Sequence, residues 1–230
     1  MFEQNSYTMP GTAREFMYKV YGWMSAALAV TAAVAYYVGT TPAIYTELFK
    51  SPFLLIGIVI AQIGLVIFLG WKIMSLSYVE AVTAFMVYAF LVGVTTSSVL
   101  LVYTMASVYL AFIITAGMFG AMALYGYYTE ADLSSMGSFL TMGLFGVMLA
   151  MLVNMWFRNP LADYYISLAA VGIFTLLTAY DVQKIKRIGE SLMVDAETKK
   201  KLAIVGALTL YLDFINLFLH LVKVMGKKRD

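Results

Sequence analysis

The chain has 230 residues, 62% of them hydrophobic and only 12% charged, with a net charge of +2 and a mean hydropathy of +0.85. A fold of this size leaves too much of its surface open to water to conceal so many apolar side chains. A soluble globular domain is therefore excluded, and the apolar residues suffice for about seven membrane spans of ~20 residues each. The near-neutral charge balance carries no polyanion-binding signal, so no nucleic-acid partner is expected. The absence of cysteine excludes disulfides, thiolate metal sites and S-palmitoylation, and a single histidine excludes a His-based zinc or haem cluster within one chain.

Residues 1–17 read as a short polar tail with no early basic region and no Ala-x-Ala cleavage site, so the first apolar run is expected to be a retained span. That run covers about Tyr18 to Val38 and ends at Gly39-Thr40-Thr41-Pro42. A linker carrying Glu47 and Lys50 leads to Pro52, and a second span covers about Phe53 to Trp71, with Trp71-Lys72 as an aromatic and basic interfacial anchor. Tyr78 to Tyr128 contains a single charge, Glu80. Its length of ~50 residues fits two crossings joined by a tight connection near Tyr103 to Ser107. A fifth span runs from about Met136 to Phe157 and is closed by Arg158-Asn159-Pro160, since proline disfavours helix in the residue before it. The sixth begins near Asp163 and runs into Asp181-Val182-Gln183-Lys184. A basic segment to Lys201 follows, then a last span from about Leu202 to Val224 and a tail containing Lys227-Lys228-Arg229. The expected fold class is an all-α integral membrane protein, with seven transmembrane helices over residues 18–224 and a basic tail at 225–230.

Lys and Arg in short loops set orientation. With a cytoplasmic N-terminus, nine of them lie inside and six outside, which favours that orientation. Lys227, Lys228 and Arg229 then lie on the outer side. A six-crossing version with one re-entrant segment would remove that conflict, but every segment is long enough to cross.

Most in-membrane polar residues have a packing explanation. Small residues such as Thr95, Thr96, Ser97, Gly117 and Gly143 permit close helix approach, and the 16 methionines fill gaps rather than form a continuous stripe. Gln62 and Asn154 are expected to hydrogen-bond between helices, and Glu80 to sit at an interface. Asp213 is different. It lies ~11 residues, or ~16 Å, into the last span, at the bilayer midplane, where an aspartate costs ~2.5–3.5 kcal/mol on insertion scales. Asn216 and His220 follow at i+3 and i+7, giving an otherwise apolar helix one polar face that must point into the protein. If the sixth helix extends to Gly189, antiparallel pairing brings Asp181 to the depth of Asp213. Two carboxylates close together in a low dielectric share one proton, which makes such a pair a natural pH sensor. Lys184 would offset Asp181 in a purely interfacial reading of that residue.

The stretch Leu177-Thr178-Ala179-Tyr180-Asp181-Val182-Gln183-Lys184-Ile185-Lys186, followed by Ala207-Leu208-Thr209-Leu210-Tyr211-Leu212-Asp213-Phe214-Ile215-Asn216-Leu217-Phe218-Leu219, resembles the Bax inhibitor-1 (TMBIM) family, bacterial branch. The opening Phe16-Met17-Tyr18-Lys19-Val20-Tyr21-Gly22-Trp23-Met24 agrees, so the resemblance spans nearly the whole chain. It implies a seven-helix fold with the final helix central, and a pH-sensitive calcium leak regulated by a pair of aspartates that map onto Asp181 and Asp213. Calcium would be the permeant ion, held transiently at that pair, and no cofactor or structural metal is implied. The family also includes a bacterial protein that restrains a membrane-anchored AAA protease, so such a protease is a candidate partner. Some members carry an arginine on the second helix that pairs with the aspartates. This chain lacks it, Lys72 and Gln62 being the polar residues at hand.

Three function classes follow. The first is a pH-gated cation leak through the bilayer, with Asp181 and Asp213 as sensor and Tyr180, Asn216, His220, Gln62, Glu80 and Lys72 in support. The second is a non-conducting regulator that meets its partner through the basic 184–201 segment or the N-terminal tail. The third, an intramembrane aspartyl protease, matches Tyr180-Asp181 but needs Gly-x-Gly-Asp at its second motif. Leu210-Tyr211-Leu212-Asp213 puts bulky side chains where a substrate strand must approach, so no enzyme activity is expected. Absence of cysteine and short tails favour a bacterial inner membrane.

Overall fold

A computed structural model describes residues 10–191 and 195–229, and almost all of these are helical. Expectations that fall on residues 1–9, 192–194 and Asp230 lie outside them. In chain order the helices are α1 (Pro10–Thr40), α2 (Pro42–Lys50), α3 (Pro52–Lys72), α4 (Tyr78–Val102), α5 (Met105–Tyr128), α6 (Ser134–Phe157), α7 (Pro160–Ser191) and α8 (Ala196–Met225). All but α2 are long and apolar enough to cross a membrane, seven among the described residues.

The boundaries follow from local chemistry. Pro42 and Pro52 open α2 and α3, where a missing N–H costs nothing because the first turn has no intrahelical acceptor for it. Ser77 and Glu80 close a capping box on α4: the Ser77 N–H donates to Glu80 Oε2 at 2.7 Å and the Glu80 N–H to Ser77 Oγ at 3.3 Å. Thr104 caps α5, and Asp195 caps α8 by accepting from the Thr198 N–H at 2.9 Å.

Three elements differ from the sequence reading. The linker before Pro52 is a short helix, α2, whose Leu48 packs with Val38 and Val94. The first helix starts at Pro10 rather than near Tyr18, because Phe16 and Met17 are buried in the core instead of lying in a polar tail. The basic 184–201 segment is mostly helical, since α7 continues to Ser191 and α8 starts at Ala196. Lys201 is buried there and donates to the Met74 and Leu76 carbonyls at 3.2 and 3.1 Å, closing the α3–α4 turn.

Successive spans alternate in direction, so one end of the bundle (the N-side) carries the start of α1 and the α3–α4, α5–α6 and α7–α8 turns. The other end (the C-side) carries the α4–α5 and α6–α7 turns and the end of α8. Helix α8 packs against α1, α4, α5 and α7 and is the most enclosed span, with 61% of its apolar window buried against 6% for α3. Its Tyr211 ring meets Phe85 and Tyr88 of α4 edge-on, with centroids 5.7 and 5.9 Å apart, and Phe214 meets Phe119 of α5 at 5.5 Å. Edge-on aromatic pairs contribute about 0.5–1.5 kcal/mol each beyond area. Such contacts matter because lipid tails are as apolar as the core, and packing rather than hydrophobicity holds spans together.

Candidate functional site

Two glycines bring α7 into register for the site. At Gly126 of α5 a Cβ would collide with the backbone carbonyl of Ala179, and at Gly137 of α6 with the ring of Tyr180. Without side chains there, α5 and α6 close onto the 179–181 segment, and Asp181 on the adjoining face turns toward α8. On α8, Asp213 is 5% exposed. The two carboxyl groups stand within hydrogen-bonding reach of each other. Asp213 Oδ2 is buried and has no hydrogen-bond partner among the described residues.

Asp181 also borders a cavity of about 110 Å³ between α1, α7 and α8, lined by Phe16, Lys184, Ile188, Gly206 and Thr209 among others. A second hollow of about 340 Å³, bordered by Ser134, Tyr180, Gln183, Lys184 and Arg187, lies beside it on the N-side. Lys184 is common to both. It is exposed, and its Nζ sits 5.7 Å from the centre of the Tyr180 ring. Asp181 therefore has a largely apolar approach from the N-side with Lys184 at its rim.

Toward the C-side, α8 continues its polar face. Asn216 turns back on its own helix and donates to the Leu212 carbonyl at 2.8 Å. His220 is buried and stacks on Phe174 of α7 with centroids 6.1 Å apart. Its Nδ1 and the Oγ of Ser167 on α7 are buried with no partner among the described residues. Lys223 then pairs with Asp163 at 3.1 Å near the surface.

The structure gathers Asp181, Asp213, Tyr180, Asn216 and His220 on α7 and α8, and leaves the other supporting residues elsewhere. Gln62 ties α3 to α4, donating to the Leu91 carbonyl at 2.8 Å and Thr95 Oγ1 at 3.1 Å, as expected of an interhelical amide. Asn154 does not bridge helices in that sense. Its side chain clasps the main chain of Asn159, at 3.1 Å in both directions, and forms the α6–α7 corner where Arg158 has a φ of 51°. Glu80 is spent on its helix cap, and Lys72 lies exposed at the end of α3. Among the described residues no group of three or more His, Asp and Glu is placed to hold a metal ion.

The sequence reading gave Gln183 and Ser167 no role. Gln183 donates to the Ala131 carbonyl at 2.8 Å and accepts from the Leu133 N–H at 3.0 Å, fixing the α5–α6 turn beside Tyr180. Its place two residues after Asp181, where α7 passes from its apolar run to the charged Lys184, was the available signal. Arg187 adds an ion pair to Asp132 of the same turn at 2.8 Å.

Residues 13–230 match the family described as "Inhibitor of apoptosis-promoting Bax1". The chain is 47% identical over 215 residues to the inner membrane protein YbhL of Escherichia coli (strain K12), covering 93% of this chain and 92% of that protein. It is 42% identical over 216 residues to a protein of Borreliella burgdorferi, covering 94% and 93% of the two chains. A third relative, RP147 of Rickettsia prowazekii, is 41% identical over 219 residues, 94% of this chain and 91% of its own. A match over nearly the full length, with seven helices fit to cross a membrane, means that this chain belongs to the Bax inhibitor-1 family of membrane proteins.

Proposed function

We propose that this protein is a cation leak of the bacterial inner membrane, with calcium as the permeant ion and the Asp181–Asp213 pair as its proton-sensitive gate. The observation that carries this reading is the apposition of two carboxyl groups from neighbouring helices deep in the bundle, one with an unpartnered oxygen. Two carboxylates so close cannot both carry charge cheaply, and the pair holds a proton between them. Removing that proton leaves two adjacent anions. Their repulsion drives α7 and α8 apart locally, and the same pair of charges attracts a divalent cation. The cavity beside Asp181 supports an approach from the N-side, which is the cytoplasmic side in this proposal. Lys184, with no arginine on α3 to pair with the acids, is the base that rims this approach. In this reading the chain is not an enzyme.

The test is calcium flux into proteoliposomes at pH 6, 7 and 8, with wild type beside Asp181→Asn and Asp213→Asn. A leak whose pH dependence disappears in both variants is the expected result. Flux no greater than in empty liposomes at every pH would refute conduction and move the reading to a non-conducting regulator of a membrane-anchored protease.

A further inference from the structure

We propose that the C-side of the bundle is a binding site for one anionic phospholipid, with an acyl chain in a cleft between α1, α4, α5 and α8 and the headgroup phosphate on Lys227, Lys228 and Arg229. The cleft measures about 350 Å³, and its lining includes Leu28, Thr31, Thr96, Leu100, Met105 and Phe112. It reaches the α4–α5 turn, where Leu100 and Met105 lie within three residues of the helix ends. On α1 its lining runs from Tyr36 back to Leu28, eight residues or ~12 Å at 1.5 Å per residue. Half of a ~30 Å hydrocarbon core is ~15 Å, so the cleft spans most of one leaflet.

The buried hydroxyls of its lining are already satisfied, and its other polar groups belong to the exposed Tyr36 and Tyr109. The Thr31 hydroxyl is engaged by Ala89 and Tyr211, and the Thr96 hydroxyl donates to the Val92 and Gly93 carbonyls of its own helix. Nothing on those side chains seeks a polar ligand, which leaves hydrocarbon as the fitting occupant.

The mouth has the opposite character. After α8 ends, the tail folds back onto the α4–α5 turn and is fastened through its main chain. The Thr104 N–H donates to the Lys227 carbonyl at 3.0 Å, the Arg229 N–H to the Val102 carbonyl at 2.9 Å and the Lys227 N–H to Ser107 Oγ at 2.9 Å. The Arg229 guanidinium reaches the Leu100 carbonyl at 3.2 Å, and Leu100 is itself a wall of the cleft. Lys227, Lys228 and Arg229 are all exposed. The helices that form the turn offer them no acid, since residues 81–129 contain no charge, and Asp163 at this end is taken by Lys223. Three cations pinned over an apolar slot that spans most of one leaflet complement a phosphate attached to an acyl chain. Basic residues near a membrane surface each favour anionic over zwitterionic lipid.

The experiment uses the full chain in phosphatidylcholine nanodiscs containing a trace of chain-spin-labelled lipid, either phosphatidylglycerol or phosphatidylcholine. The motionally restricted fraction is read by electron spin resonance. Wild type should retain the labelled phosphatidylglycerol with about tenfold preference. The triple variant K227Q/K228Q/R229Q, confined to an exposed tail, should bring the two lipids to parity. Ala32→Trp, which fills the slot from its lipid-facing wall, should lower the restricted fraction of the anionic lipid with the tail intact. Equal retention of the two lipids by wild type overturns the proposal, as does a preference that survives either change.

Discussion

The hydroxyls of Thr31 and Tyr211 stand 2.6 Å apart inside the bundle, and Thr31 Oγ1 also donates to the Ala89 carbonyl at 2.9 Å. A threonine hydroxyl has one proton, already given to Ala89, so Tyr211 is the donor in the pair. The chain of contacts joins α8, α1 and α4 through groups that hydrocarbon cannot solvate, two residues from Asp213. Tyr211→Phe removes the donor with little change of shape and should destabilise the protein by about 1 kcal/mol. That corresponds to a melting temperature lower by roughly 2–4 °C for a chain of this size. Thermal melts in detergent check it, and an unchanged midpoint would mean that the hydroxyl pair contributes nothing net.

The glycines behind Tyr180 should not be equivalent. At Gly126 an added methyl meets the main chain of Ala179, which cannot move without shifting α7. At Gly137 it meets the Tyr180 ring, which can rotate away. Gly126→Ala is expected to destabilise by about 1–3 kcal/mol, the usual range for overpacking, and Gly137→Ala by less. Melts of the two single variants decide the order, and the reverse order would contradict the geometry.

Gln183 satisfies a part-buried acceptor and a buried donor of the α5–α6 turn. Gln183→Leu keeps the bulk but strands the buried Leu133 N–H, at about 1–3 kcal/mol, while water can still reach the Ala131 carbonyl. The turn between Tyr128 and Ser134 should then become accessible to protease while the ends of α8 stay protected. Cleavage mapped by mass spectrometry reads this directly, and uniform cleavage at all turns would point to general unfolding instead.

Asp132 in that same turn has its carboxyl lowered to about 2 by hydrogen bonds from Ser134 and by the Arg187 guanidinium. An acid whose folded value is depressed adds stability that is complete above its unfolded value near 4 and is lost as pH falls through the folded one. The wild-type advantage over Asp132→Asn should therefore be constant from pH 7 to about 4 and disappear toward pH 2. A difference that instead changes between pH 6 and 8 would contradict this assignment. Any neutral-range pH response of the protein should also persist in Asp132→Asn.

Composition and the runs between charges sufficed to find seven spans and the connection near Tyr103 to Ser107, because a span is specified by length and hydropathy alone. Asp213 was legible for the complementary reason: an acid in the middle of an apolar helix has few uses. What stayed hidden depends on contacts between distant segments. Phe16 and Met17 look like the edge of a polar tail until α7 and α8 supply the surface that buries them. Lys201 reads as one of a basic run, and only the α3–α4 turn, more than 120 residues away, gives its ammonium two carbonyls. The fold-back at Lys227 to Arg229 rests largely on main-chain groups, which have no side-chain signature.

Helix α3 touches α4 and α2, whereas α8 is held by four spans. For α3 nearly any apolar side chain serves at most positions, and Gln62, which anchors it to α4, and the buried Leu69 carry most of its information about shape. For α8 each side chain must fit a mould made by its neighbours. A saturation library should therefore read as a hydropathy filter along α3 and as a volume filter along α8. The two helices occupy the same membrane under different rules of tolerance.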